Sequence, residues 1–296
     1  MVQNIKDTSM YLLERNPLWK SVKPYDLKFS PPEGFPKSNA VPRKHDGIQV
    51  EDIRGREHEF SLAKNGFALI PMDVSMSVQD FENFNGDELS SRFFKPVADS
   101  LKIFLGAERV QVFDFQVRKS HPEFPISTGG TYQFQQPSTI LHVDTTPAFT
   151  KELVERYNPD TLKLKSRRYQ YVNVWKPLRG PVKSWPLAVC DNTTVDTAND
   201  LQARDIVYPE DVVESYQVHF NPKHKFYYVS GQQTNEAWVM LQSDSGGWTG
   251  TPHTAFPNPW AIHDAQGRES VEVRALVFYD EEDHLATTPE TLTSLT

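Results

Sequence analysis

Cysteine is almost missing from this 296-residue chain: the single one, Cys190, stands in the apolar run Pro186–Cys190. A lone cysteine excludes an internal disulfide and reads as a buried, reduced thiol. No apolar run approaches the ~18 residues of a membrane span, and the N-terminus carries no signal-peptide core, so a cytoplasmic protein is expected. Positive charge is short as well. Thirty-one Lys and Arg against 39 Asp and Glu leave a formal charge of −8, which argues against nucleic acid or an anionic membrane as the main partner. A small molecule is the expected partner, and self-association as a homodimer is allowed. No repeat of 20–50 residues and no mid-chain linker are visible. The length would allow two domains of ~150 residues, but all-β barrels often exceed that as one unit.

What is present divides unevenly along the chain. Residues 1–46 are polar and proline-rich, with Pro31–Pro32 and scattered anchors such as Tyr11, Leu12, Leu13, Trp19 and Tyr25. They are expected to wrap a single domain, 47–296, in extended form. Within 47–71, two strands around the R-G-R-E turn are expected. Helices are expected over Val78–Phe84 and Glu88–Leu105, the second kinked or shortened by Pro96. Glu108–Val117 alternates as a strand with Val110, Val112, Asp114 and Gln116 on one face. After a short helix at Phe149–Tyr157 nearly everything reads as strand: Tyr169–Lys176, Leu187–Cys190, Tyr216–Phe220, Lys225–Ser230, Trp238–Gln242, His253–Phe256 and Ser270–Tyr279, with a helical turn at Asp200–Ile206 and a hairpin turn at Asn221–His224. Early helices and a long series of strands predict a mainly β fold with flanking helices, a jelly-roll-like double-stranded β-helix.

The stretch that carries chemistry is S-T-I-L-H-V-D-T-T-P, Ser138–Pro147. Residues two apart on a strand point the same way, ~6.6 Å apart along the backbone, so His142 and Asp144 stand side by side. One further histidine would complete a 2-His-1-carboxylate facial site for non-heme Fe(II). Of the nine histidines, His45, His58, His263 and His284 sit among charges or turns. His121 pairs with Glu123 in H-P-E-F-P, where proline breaks alternation. His219 and His224 flank a hairpin turn and stay in reserve. His253 is preferred because it follows the glycine-rich S-D-S-G-G-W-T-G-T-P and opens a short apolar strand.

An iron site that uses 2-oxoglutarate also needs a fixed cation for the far carboxylate, and the planar, permanently charged guanidinium suits it. The last strand, R-E-S-V-E-V-R-A-L-V-F-Y, places Arg268, Ser270 and Arg274 on one face. Arg268 with Ser270 is slightly preferred, with Arg274 close behind. If both arginines face inward, the spare one needs Glu272 or an anionic substrate group. Tyr132, Gln136, Asn173 and Trp175 are candidates for lining the substrate pocket, whereas Phe113, Phe115 and Trp248 read as structural.

These motifs resemble a fungal and bacterial family that includes the gibberellin desaturase, the AsaB-type hydroxylase/desaturases and the cephem 7α-methoxylation component. The resemblance rests on V-E-D-I-R-G-R-E at Val50, G-F-A-L at Gly66, H-V-D-T-T-P at His142, N-V-W-K-P-L at Asn173, P-L-A-V-C-D at Pro186, N-P-K-H-K-F-Y-Y at Asn221, P-H-T-A-F at Pro252 and the Arg268 strand. It implies a double-stranded β-helix that uses Fe(II), 2-oxoglutarate and O2 to oxidise a small molecule of specialised metabolism, with His142, Asp144 and His253 on the metal positions. The chain departs from the family at L-Q-S-D-S, Leu241–Ser245, where a lysine and tyrosine often precede D-S.

In such enzymes 2-oxoglutarate is decarboxylated to succinate and a substrate C–H bond is oxidised, with hydroxylation, desaturation or ring formation decided by substrate placement. The substrate expected is small, with a carboxylate. Two rivals follow from the same residues. One is a catalytically inactive β-helix acting as a binding or partner subunit; the other is a cupin dioxygenase that does not use 2-oxoglutarate.

Overall fold

Alternating apolar residues become two facing sheets in the computed structural model, which describes residues 3–126, 132–161, 167–261 and 267–280. The strands in chain order are β1 Ile5–Leu13, β2 Tyr25–Leu27, β3 Pro42–Asp52, β4 Phe67–Pro71, β5 Arg109–Lys119, β6 His142–Val143, β7 Tyr169–Pro177, β8 Leu187–Cys190, β9 Leu201–Val207, β10 Val212–Val218, β11 Phe226–Tyr228, β12 Glu236–Asp244, β13 His253–Ala255 and β14 Glu269–Phe278. Nine form one sheet in the order β1-β3-β11-β8-β13-β6-β10-β9-β2, and five form the other as β4-β12-β7-β14-β5. The fold is a double-stranded β-helix.

Helices cover the outer face of the five-stranded sheet. Ser77 caps the helix Val78–Asn83 in a reciprocal capping box with Asp80, and Asn85 does the same with Glu88 for the short α-helical turn Gly86–Leu89. A π-helical stretch, Ser90–Phe94, runs on into the helix Lys95–Leu105, so the change of hydrogen-bond register falls just before Pro96, which has no N–H to donate. Phe93, Val97 and Leu101 pack on Val172, Val174, Val273 and Val277. Because the odd-numbered residues of β14 face this helical layer, Ser270, Glu272 and Arg274 face the space between the sheets.

Within the segment 1–46, β1 pairs antiparallel with β3 and buries Ile5, Met10, Leu12 and Leu13, and position 46/47 falls inside β3. Two expectations are corrected. The expected helical turn at Asp200–Ile206 is a turn of helix only at Thr197–Asp200, followed by strand β9. Finally, β5 does not keep one parity. Arg274 pairs with Asp114 but Ala275 with Val112, so Phe113 is the extra residue of a bulge. Val110, Val112, Phe115 and Val117 therefore join the helical layer while Phe113 packs at the other face, against Tyr171. Among the described residues no helix is long and apolar enough to cross a membrane.

Candidate active site

Strand β6 is two residues long because its sequence stops it. Thr146 caps the next helix, Pro147–Tyr157, by accepting from the Phe149 amide at 3.1 Å, and proline at the first helical position ends the strand just before. Asp144 is left at the strand end. On one side β6 meets β13, and His142 pairs directly with His253, their ring centroids 4.5 Å apart. Gly250 makes that delivery sterically feasible. A Cβ there would lie 2.2 Å from the Gln242 carbonyl oxygen and 2.4 Å from Val143, so only glycine lets the returning chain pass before Thr251 donates to the Leu241 carbonyl at 2.7 Å.

Both imidazoles are oriented by backbone carbonyls. His142 Nδ1 lies 2.7 Å from the Ile140 oxygen and His253 Nδ1 3.0 Å from the Thr251 oxygen. A carbonyl can only accept, so each Nδ1 carries the proton and each Nε2 presents its lone pair. With a carboxylate oxygen of Asp144, the ligand atoms all lie within 4.8 Å of one another. Among the described residues the buried Nε2 of His253 has no hydrogen-bond partner. This donor set fits a divalent iron.

Asp144 is held on every side. Its Oδ2 accepts from Asn173 Nδ2 at 2.7 Å and from Arg274 Nε at 3.3 Å, and its amide donates to Gln242 Oε1 at 2.9 Å. Burial pushes its carboxyl upward, but Arg274 and the two histidines outweigh that and keep it well below the usual range. Burial, reinforced by His142, lowers His253 to about 4. Both groups are thus in the ligating protonation state near neutral pH. Gln242 lies in the stretch where the chain departs from the family pattern, and here it braces Asp144.

The two arginines of the last strand differ sharply. Arg274 is fully used: besides Asp144, Nη1 donates to Asp114 at 2.7 Å and Nη2 to Glu272 at 3.1 Å. The spare inward charge is therefore neutralised by protein carboxylates, Glu272 among them. Among the described residues Arg268, almost wholly buried, donates only through Nη1, to the Trp185 carbonyl at 2.7 Å, and lies over the Trp175 ring. Its Nε and the Ser270 hydroxyl are both buried without partners. Burial and the neighbouring Arg118 lower Arg268 to about 9. A narrow crevice reaches from Arg268 and Arg118 to His142, His253 and Glu272. These unpartnered donors and the two cations fit a dicarboxylate such as 2-oxoglutarate, and the Glu272 carboxylate is offset by Arg274.

On another side, a cavity of about 370 Å³ opens on Asp144 and Arg274, walled by Phe113, Phe149, Tyr157, Tyr171, Ile206 and Tyr208. That size falls in the usual range of small-molecule sites. Phe113, read from sequence as structural, is a wall residue through its bulge. None of the four residues expected to line the pocket lines this cavity. Asn173 holds Asp144, Trp175 lies under Arg268, and Tyr132 packs edge-on against His121. Gln136 ties the loop, accepting from the His121 amide and donating to the Lys119 carbonyl. The reserve histidines are occupied elsewhere, His219 at the Leu13 carbonyl and His224 at Asp200; His263 and His284 lie outside the described residues. Arg118 and Asp114 also belong to the site; no motif marks them, but the polar residues at 114, 116 and 118 share one face of β5.

Comparisons with known proteins agree with this geometry. A family model described as an oxidoreductase/YMDC permease-like domain matches residues 11–278. The Fe(II)/2-oxoglutarate-dependent dioxygenase nvfI of Aspergillus novofumigatus is 31% identical over 254 residues, 81% of this chain and 84% of that protein. The chain belongs to this oxidoreductase family and is an Fe(II)/2-oxoglutarate-dependent dioxygenase. The alpha-ketoglutarate-dependent dioxygenase tstK of Talaromyces stipitatus is 32% identical over 239 residues, covering 78% of the present dioxygenase and 84% of its relative. A solved structure of the iron and alpha-ketoglutarate-dependent endoperoxidase NvfI superposes with a TM-score of 0.78 at 29% identity, over 93% of the dioxygenase and 98% of that chain. Fe(II), 2-oxoglutarate and O2 are accordingly its cofactor and cosubstrates.

Proposed function

We propose that His142, Asp144 and His253 hold the iron, that Arg268 and Ser270 bind the far carboxylate of 2-oxoglutarate, and that substrate enters the cavity on the Asp144 side. The observation that carries the assignment is the contrast between the arginines. Among the described residues Arg268, which lines the crevice with the two histidines, and Ser270, on the same face of the chain, keep buried polar atoms without partners, whereas Arg274 spends all its nitrogens on Asp144, Glu272 and Asp114. When bound, iron and 2-oxoglutarate supply oxidation of a C–H bond by O2, coupled to release of succinate and CO2.

The chain's own residues do the positioning. The Ile140 and Thr251 carbonyls fix the tautomers of the imidazoles. Asn173 and Arg274 hold Oδ2 of Asp144, leaving Oδ1, 3.4 Å from His142 Nε2, as the ligating oxygen. Trp175 and Leu187 line the crevice and keep water away from the Arg268 pair, which strengthens it. Arg118, anchored to the Gln136 carbonyl at 2.7 Å, adds a second cation for the dianion.

The relatives' names, dioxygenase, hydroxylase/desaturase and endoperoxidase, support a role in oxidising a small molecule of specialised metabolism. The acidic charge and a single buried cysteine, Cys190, outside any disulfide support a cytoplasmic enzyme without nucleic-acid or membrane partners; the place of β1 in the larger sheet supports one domain from β1 to β14, with a homodimer allowed. Neither rival gains an observation, since the triad is complete and no third histidine joins it among the described residues. The test is uncoupled turnover: the purified chain with Fe(II) should convert 2-oxoglutarate and O2 to succinate and CO2. No succinate above a His142→Ala, Asp144→Ala control would remove the proposal.

A further inference from the structure

The centre balances its own charge. Arg118, Arg268 and Arg274 stand among Asp114, Asp144 and Glu272, three guanidinia against three carboxylates. Divalent iron and dianionic 2-oxoglutarate would cancel each other. One further guanidinium lies outside this balance. Arg204 of β9 pairs in register with Ser215 of β10, and β10 continues to β6 through Gln217 opposite His142 and Tyr216 opposite Val143. Extended by one position, that register sets Ser215 opposite Asp144, so Arg204, Ser215 and Asp144 form a row on the inner face. Ile206, two residues after Arg204, pairs with Val213, and both wall the cavity together with Tyr208.

Among the described residues Arg204 makes no ion pair; Nε reaches the Ser215 hydroxyl at 3.3 Å. The carboxylates that attract it are engaged elsewhere, Asp26 by Lys28 and Asp144 by Arg274. The two cations that wall the cavity are closed, Arg156 by Asp211 and Glu152 and Arg274 by Asp144, Asp114 and Glu272; Arg204 stands next to that wall, two residues before Ile206 on the same face. Burial of Arg204 without a counter-ion lowers its guanidinium below the ordinary value, the signature of an under-compensated cation.

We propose that Arg204 is the substrate anchor, pairing with a carboxylate on a small acid whose apolar body lies against the aromatic wall of the cavity. The proposal rests on the reading that substrate enters on the Asp144 side. Two strand spacings separate Arg204 from Asp144, on the order of 10 Å. The carbon to be oxidised is therefore several bonds from the carboxylate, which selects extended or multi-ring acids over small α-substituted ones.

The test uses binding without turnover. The anaerobic Fe(II)–2-oxoglutarate complex is titrated with 4-cyclohexylbutyrate, 1-naphthaleneacetate and abietate, each against its methyl ester, following perturbation of the visible band. At least one acid should bind tenfold or more tighter than its ester. Arg204→Gln should weaken that acid roughly 10- to 100-fold while leaving the ester's affinity alone, and Arg204→Lys should recover part of it. Melting curves of both variants check that the fold is kept. Acids that move the band no better than esters, or a Gln variant that binds acid like the parent, would overturn the proposal. A parent that gives no band at all would instead take down the 2-oxoglutarate assignment, and this inference with it.

Discussion

Replacing each arginine of β14 and its lead-in by alanine separates two roles that sequence leaves side by side. Arg268 lines the crevice with one donor committed to the Trp185 carbonyl and Nε buried without a partner among the described residues. A charge-assisted hydrogen bond to a carboxylate contributes ~1.5–3 kcal/mol, and ~1.4 kcal/mol is tenfold in affinity. Arg268→Ala should therefore raise the half-saturating 2-oxoglutarate roughly 10- to 100-fold. Arg268→Lys should recover little, because an ammonium neither forks onto a carboxylate nor stacks on Trp175 in the same way. Arg274→Ala should leave that requirement nearly unchanged and act on the fold. It strips Asp144 and Glu272 of a buried counter-ion, a loss of ~3 kcal/mol at the low end for broken buried pairs; its Asp114 contact is half-exposed and adds little. The assay is succinate formation against 2-oxoglutarate concentration, paired with urea denaturation of each apoprotein. A large rise in the 2-oxoglutarate requirement for Arg274→Ala alone would refute the reasoning.

Three further outcomes are expected. Asp144→Ala and His253→Ala should each lose stoichiometric Fe(II) binding by equilibrium dialysis while circular dichroism stays unchanged; undiminished iron in His253→Ala would move the third ligand elsewhere. His253 is lowered from 6.5 to about 4 in the apoprotein, so the unfolded chain binds its proton more readily. Its contribution, ~3 kcal/mol from that shift, is complete above pH 6.5 and lost as pH falls towards 4. The denaturation free energy of His253→Gln should accordingly slope less with pH across that window, and an unchanged slope would contradict the assignment. Gly250→Ala should destabilise the fold by about 1–3 kcal/mol or more, because its Cβ would meet the Gln242 backbone oxygen; a neutral variant would show the approach to be looser than described.

The features legible in the sequence are those fixed by local rules. H-V-D followed by T-T-P places a histidine and a carboxylate at a strand end before any partner is known. The alternation of β14 puts Arg268, Ser270, Glu272 and Arg274 on one face, and capping residues mark the helices of residues 77–105. The remainder depends on contacts that are distant in sequence. The bulge at Phe113 is set by the register with β14 and reverses the parity of β5, turning an apparent core aromatic into a cavity wall. Arg204 sits in a stretch, L-Q-A-R-D-I-V, whose Asp and Asn neighbours suggest a helical turn; only pairing with β10 reveals a strand with its polar side inward. Asn173 and Trp175 share parity and do face the interior. Which cavity each meets is decided by where β6 and the Arg268 crevice lie across the sheets.

The central claim is that the triad of His142, Asp144 and His253, together with Arg268, forms an iron and 2-oxoglutarate site. Its most direct test is the visible spectrum of the protein with one equivalent of Fe(II) under anaerobic conditions as 2-oxoglutarate is added. The expected result is a weak visible charge-transfer band that saturates at one cosubstrate per chain, is missing in Asp144→Ala, and needs roughly 10- to 100-fold more 2-oxoglutarate in Arg268→Ala. A featureless spectrum from the folded, iron-loaded parent, or an equal band in the Asp144→Ala protein, would contradict it.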